Sequence, residues 1–329
     1  MRRVPGPAER IIERGGLCYL AVRTPGGPHL TPLVHVYDAG RLWVTTSRGS
    51  VKARAWRRDP EVAGLVIDGE SAATFRGRVT TYDAFDPLSW PSAVLAGPRL
   101  VEAAARFSVK NARFFAGYAV DAGKVPLAWT PPGRVFAAVR PAAGRVLAGA
   151  DPAGGPSWGE WPTGARYRGA FAPLTRRRRL DLAVPPDVRG IVGTSGTGAL
   201  AVEGAGGLTV LPVAWRRSGR EGAYEAMVSA AWIELAGAGP EAPAALTVDR
   251  ASSWRAADMA GMLLQGTASL FSPQAGGRGR RALLERLGGR EDLVLLRIRP
   301  RRAVWWKGWT SGTVTAGGRA PRARGRVAW

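Results

Sequence analysis

Eight consecutive residues, Thr45-Thr46-Ser47-Arg48-Gly49-Ser50-Val51-Lys52, place four hydroxyls, a glycine and an ammonium at one corner of the chain. Hydroxyls, the free N–H groups of a helix start and one ammonium all donate to anionic oxygens. That combination suits a phosphate monoester. Lysine is scarce here: of 47 basic residues only Lys52, Lys110, Lys124 and Lys307 are lysines. The same corner also reads as an ordinary hairpin followed by a Ser N-cap and a solvated basic helix.

The elements that must position the corner follow from alternation and turn residues. Leu33 to Tyr37 is apolar and extended, and Asp38-Ala39-Gly40 is a turn. Arg41 to Thr46 predicts a second strand, and a short helix begins near Ser50 and stops at Arg58-Asp59-Pro60. Upstream, Ala8 to Arg14 predicts a helix ended by Gly15-Gly16, and Leu17 to Arg23 and His29 to Tyr37 predict strands. Downstream, Val62 to Asp68 and Ala73 to Tyr82 predict strands, the latter with Gly77 as a bulge. Leu100, Ala104, Phe107, Asn111, Phe114 and Tyr118 recur at helical spacing and predict a seam packed on the strands. After Trp129-Thr130-Pro131-Pro132-Gly133, Val135 to Arg140 closes the unit.

Composition bounds the rest. A chain of 329 residues, 46% hydrophobic, suffices for two domains with cores of their own. The net charge of +22 first suggests nucleic acid. However, the excess is arginine in an Ala-, Gly- and Pro-rich chain, a pattern of GC-rich coding, so nucleic acid is not expected as a partner. One cysteine, Cys18, excludes an internal disulfide, and two histidines, His29 and His35, do not suffice for a zinc site. No uninterrupted apolar run approaches the ~18 residues of a membrane span, and a cytoplasmic location is expected.

The second half echoes the first. Leu30-Thr31-Pro32-Leu33-Val34 returns as Leu208-Thr209-Val210-Leu211-Pro212-Val213, and Val66-Ile67-Asp68 as Thr247-Val248-Asp249. Phe75-Arg76-Gly77 returns as Leu264-Gln265-Gly266, and Val139-Arg140-Pro141 as Ile298-Arg299-Pro300. Four matches in one order imply a duplicated, strand-rich unit, hence two small barrels packed as an intramolecular pseudo-dimer. The expected domains are 1–147 and 187–312. Between them lies a Gly/Pro/Arg-rich linker, 148–186, that contains Arg176-Arg177-Arg178-Arg179, and a basic tail, 313–329, follows.

The run from Leu33 to Lys52 resembles the flavin-binding split-barrel family that includes pyridoxamine 5′-phosphate oxidase. That family shows an apolar strand, a short turn, a strand ending in Thr, then Ser and Lys on the following helix. The resemblance implies a mainly β fold with accessory helices, two tandem split β-barrels, and a flavin mononucleotide (FMN) phosphate held by Thr46, Ser50 and Lys52 beside Thr45 and Ser47. It departs from the oxidase proper at Leu30, His35 and Val51, where the oxidase carries basic residues. A deazaflavin or haem is therefore an alternative cofactor, and His35 is a candidate donor to the ligand. The second copy of the corner, Tyr224 to Trp232, keeps one serine and has no basic residue of its own, so one cofactor per chain is expected. The second barrel would then wall the site, with Trp306 of Trp305-Trp306-Lys307-Gly308-Trp309 against the ring. The expected activity is a flavin-dependent oxidoreductase acting on an unknown small molecule. The alternative is a non-catalytic binding or scaffold protein whose site has decayed.

Overall fold

Glycine turns and period-two alternation fold the chain into two copies of one barrel. The computed structural model describes residues 3–121, 123, 125, 133–148, 155–161, 184–217, 223–251, 256–271 and 293–315. The first barrel takes six strands: β1 (Leu17–Thr24), β2 (Gly27–Asp38), β3 (Arg41–Ser47), β4 (Glu61–Asp68), β5 (Ser71–Tyr82) and β6 (Arg134–Ala148). They pair antiparallel in the order β3-β2-β1-β4-β5-β6, and β3 pairs with β6 to close the ring. Helices α1 (Gly6–Arg14) and α2 (Val51–Arg58) pack on the barrel core, where Ile12, Leu20, Phe75 and Trp56 are buried together. A short β7 (Ser157–Trp158) pairs with β6 and buries Trp158 over Gly144, so part of the expected linker belongs to this sheet. The arginine run 176–179, the Trp129–Pro132 segment and the tail beyond 315 lie outside the described residues.

The predicted helical seam is two helices, α4 (Pro98–Lys110) and α5 (Ala112–Val120), preceded by α3 (Trp90–Ala96). Asn111 ends α4 and is itself buried, its Nδ2 donating to the Phe107 carbonyl at 2.9 Å. Ala103, not Ala104, is the buried member with Phe107. These helices cover the outer face of β3, where Trp43 stacks between Tyr82 and Phe136.

Helix α6 (Pro186–Val192) opens the second copy. Its strands are β8 (Ser195–Gly204), β9 (Gly207–Arg217), β10 (Tyr224–Ser229), β11 (Glu241–Ala251), β12 (Met259–Phe271) and β13 (Leu293–Lys307). Helix α7 (Ala230–Ala236) follows β10, and β14 (Thr310–Thr315) hangs on β13 as β7 hangs on β6. The order β10-β9-β8-β11-β12-β13 with β10–β13 closure repeats the first barrel. Pairing fixes equivalent positions. Gly77 faces Pro141 and Gly266 faces Pro300, each one residue past a β-bulge. The last two sequence echoes are thus the two sides of one bulge. The Leu30 echo is out of register: the turns equate Gly27 with Gly207, and so Leu30 with Val210.

The barrels meet along β1, β2, β4 and β5 of the first, whose outward Ala21, Leu30, Leu65 and Ala72 join the second barrel's core. Hydrogen bonds cross this seam in both directions. Thr74 Oγ1 donates to the Val210 carbonyl and Thr247 Oγ1 to the equivalent Leu30 carbonyl, both at 2.6 Å. Beside the bulges, Arg76 reaches the Gly206 carbonyl and Thr209, while Gln265 reaches the Pro28 carbonyl. Arg23 and Glu203 occupy equivalent positions and pair with each other at 2.8 Å, so they straddle the pseudo-two-fold axis. This is the pseudo-dimer expected of a duplicated unit.

Candidate functional site

Ser50 is the N-cap of α2: its hydroxyl accepts from Ala53 N and from Thr46 Oγ1, each at 3.1 Å. Such a cap contributes about 1 kcal/mol and fixes where the helix begins. It also aims Lys52 inward. The Lys52 ammonium is 3% exposed and donates to Thr31 Oγ1 at 2.7 Å. Among the described residues no carboxylate pairs with it. Burial, helped by the positive field of Arg134, lowers its pKa to about 7.

Thr45 Oγ1 donates to the Val135 carbonyl at 3.1 Å and accepts from Arg134 Nε at 3.0 Å. Arg134 stands across from Ser47 at the start of β6, where barrel closure brings it to the corner. The Ser47 hydroxyl is buried with no hydrogen-bond partner among the described groups. A buried orphan hydroxyl costs about 1–3 kcal/mol unless something supplies its partner.

These groups line one end of a cleft of about 790 Å³, its open mouth included. The size lies within the roughly 300–1,000 Å³ of small-ligand sites. Thr45, Thr46, Ser47, Lys52 and Arg134 form the polar end. Leu17, Pro32, Leu33 and Val34 of β1 and β2, with Phe114 of α5, form an apolar wall. The second barrel supplies Met259, Trp306 and Gly308. Trp306 is 5% exposed and lies over Gly261, where any side chain would collide with its ring. Among the described residues the lining contains no acid and no histidine.

Five of the seven residues singled out from the sequence therefore line the cleft: Thr45, Thr46, Ser47, Lys52 and Trp306. Ser50 stands behind it as the cap. His35 is turned the other way. Its Nε2 donates to the Ile12 carbonyl at 2.7 Å, it is 0% exposed, and burial lowers its pKa to about 3. With Lys110, whose Nζ donates to the Glu13 carbonyl at 2.6 Å and to the Gly15 carbonyl at 3.1 Å, it satisfies the C-terminus of α1. The cleft also takes Thr31, Arg134, Phe114 and Met259, which the sequence alone does not single out. Only Arg134 has a local signal, a basic residue opening the closing strand.

The second barrel carries no such corner. The register equates Thr45, Thr46 and Arg134 with Met227, Val228 and Leu293, and Thr31 with Leu211. Met227, Leu293, Leu295 and Phe271 pack together there as an apolar cluster. Its nearest charges, Arg216 and Arg297, are both paired with the buried Glu225.

Residues 7–109 match the model of the pyridoxamine 5′-phosphate oxidase family, which bears out the resemblance seen in the sequence. No curated protein matches the chain. Among solved structures, an F420 reductase is 23% identical, with 43% of this chain and 98% of that chain covered and a TM-score of 0.29. A FAD-binding protein from Mesorhizobium loti is 15% identical, covering 44% and 95%, with a TM-score of 0.30. The haem storage protein HutZ from Vibrio cholerae is 14% identical, covering 45% and 95%, with a TM-score of 0.28.

Proposed function

We infer, for a chain whose first barrel carries the pyridoxamine 5′-phosphate oxidase family pattern over residues 7–109, that the inter-barrel cleft binds one phosphate-bearing flavin, FMN in the first instance. The observation that carries this reading is Lys52. A buried ammonium with one hydroxyl partner and no carboxylate is costly unless an anion completes it. Arg134 and the orphan hydroxyl of Ser47 face the same end and add donors.

The residues fit the group on both counts. The polar end offers two cations and the hydroxyls of Thr45, Thr46 and Ser47 to a phosphate. The walls of Leu33, Val34, Phe114, Met259 and Trp306 offer apolar and aromatic surface to a flat ring. A bound flavin would supply hydride and electron transfer. The chain's own residues bind the phosphate, orient the ring between β2 and Trp306, and keep water from its buried side. The described lining holds neither acid nor histidine, and Lys52, whose pKa burial lowers to about 7, can exchange a proton near neutrality but stands at the phosphate end. An oxidoreductase that takes its hydride or electron chemistry from the ligand is the activity this supports.

A deazaflavin shares the flat ring and an anionic tail, so the same cleft suits it. Haem is the weaker fit, because the described lining has no histidine or cysteine to ligate iron. The test is a melting-temperature series with FMN, a deazaflavin and haem, run beside the visible spectrum of the purified protein. A stabilising shift and a flavin spectrum, both weakened in Lys52→Met, are expected. A colourless protein that no flavin or deazaflavin stabilises would sink the reading.

A further inference from the structure

A second hollow, of about 680 Å³ and open to solvent, lies on the outer face of the first barrel, between β3, β5 and the turn from α3 to α4. Its floor is the Trp43 and Tyr82 pair, with ring centroids 5.6 Å apart. Donors converge on it. Arg41 Nη1 reaches the Tyr82 hydroxyl at 3.2 Å and has no carboxylate partner among the described residues. Arg99 on α4 has no partner at all among those residues, and neither do the hydroxyls of Thr80 and Ser92. One acid lines the hollow, Asp38, but it is 8% exposed and held by Arg106 at 2.9 Å. Arg106 also takes Glu102 at 2.8 Å, so both nearby carboxylates are spent on one guanidinium. What remains is two uncompensated guanidiniums and three hydroxyls above an aromatic floor.

We propose that this hollow is a second ligand site, for a small organic oxyanion bearing a phosphate or carboxylate. Guanidinium forks bind such groups through paired N–H donors, which is why two of them without acids make a receptor rather than a salt bridge. The site is separate from the cleft but shares a strand with it. Arg41 and Trp43 belong to the hollow and Thr45 to the cleft. Thr45 lies two residues past Trp43 and four past Arg41, so about 7 to 13 Å of β3 separates the two at roughly 3.3 Å per residue.

Calorimetric titration of the full chain with pyrophosphate and with citrate tests this, in the wild type and in Lys52→Met, which removes the cleft's buried cation. At least one probe binds with a stoichiometry of one in Lys52→Met, and which one tells phosphate from carboxylate. Arg99→Glu, at an exposed helix position where folding is not at risk, weakens that binding at least tenfold. FMN uptake, read by its absorbance, is unchanged in Arg99→Glu, so the outcome does not depend on the cleft's own ligand. Absence of saturable binding for both probes, binding indifferent to Arg99→Glu, or binding lost in Lys52→Met would each overturn the proposal.

Discussion

Lys52 sets two opposing expectations that one substitution separates. Its ammonium is desolvated without a compensating acid, so Lys52→Met relieves that cost and raises the melting temperature of the ligand-free protein. The same change removes a charge-assisted contact of about 1.5–3 kcal/mol, a loss of roughly 10- to 100-fold in affinity for a phosphate-bearing flavin. The pH dependence follows from the sign of the shift. Free Lys52, with a pKa near 7, must take up a proton to hold the anion above neutrality. Affinity therefore falls between pH 7 and 9, by up to about tenfold per unit, and the dependence is flat in Lys52→Met. Flavin titrations followed by fluorescence at three pH values check both.

Elsewhere, burial lowers His29 and His35 to about 3, so the unfolded chain binds protons first and stability falls as pH drops below about 6.5. Asp249 works against that trend. Burial raises it to about 6, with the Tyr19 hydroxyl bond holding it back, so between pH 4 and 6 the folded chain binds the extra proton. Asp249→Asn is expected to raise the melting temperature at pH 7.5 and to steepen the acid limb.

Among elements, the bulges carry the clearest expectation. A methyl at Gly77 would sit 2.2 Å from the Arg140 carbonyl oxygen, and one at Gly266 1.9 Å from that of Arg299. Gly77→Ala and Gly266→Ala are each expected to cost about 1–3 kcal/mol, seen as a lower urea midpoint. The β2–β3 turn runs the other way. Ala39, at φ 48, is the non-glycine with positive φ among the described residues, and it precedes Gly40 at φ 74. A turn of that kind prefers Asn-Gly, so Ala39→Asn should stabilise by about 0.5–1 kcal/mol.

The same elements mark how much can be read in the sequence. Strands β1 to β5 and the cap at Ser50 announce themselves by alternation, turn residues and one hydroxyl before a helix. The corner from Thr45 to Lys52 is contiguous, so its chemistry is legible. Arg134 and Thr31 reach it only because β6 closes on β3 and Lys52 of α2 reaches across to β2, contacts that no local pattern encodes. His35 departs from its expected place for a similar reason: alternation along β2 does not say that α1 waits on its side. The α3–α5 excursion hides a further contributor, since Phe114 sits at seam spacing in the sequence and lines the cleft in the fold.

At the scale of the whole molecule, the seam is held by hydrogen bonds that cross it in both directions. Thr74→Val and Thr247→Val each remove one buried bond to equivalent carbonyls and should cost about 1 kcal/mol apiece. Their effects should also add, because the bonds lie at separate places on the seam. A double mutant well below the sum of the singles would show that they act as one unit. The second barrel's corner is filled, with Met227, Val228 and Leu293 where the first has Thr45, Thr46 and Arg134, so on the proposed function it serves as a wall and not as a second site.

The pairing of Arg23 with Glu203 across the axis has a consequence for how such a chain can change over time. In a dimer of identical subunits, a residue on the axis meets its own copy, so a charge there confronts itself and every substitution lands twice. Joined in one chain, the two positions are inherited separately, and each can drift while the other stays. Opposite charges can then settle where a symmetric ancestor could have held only like ones. The same independence allows methionine and leucine at one corner and threonine and arginine at the other.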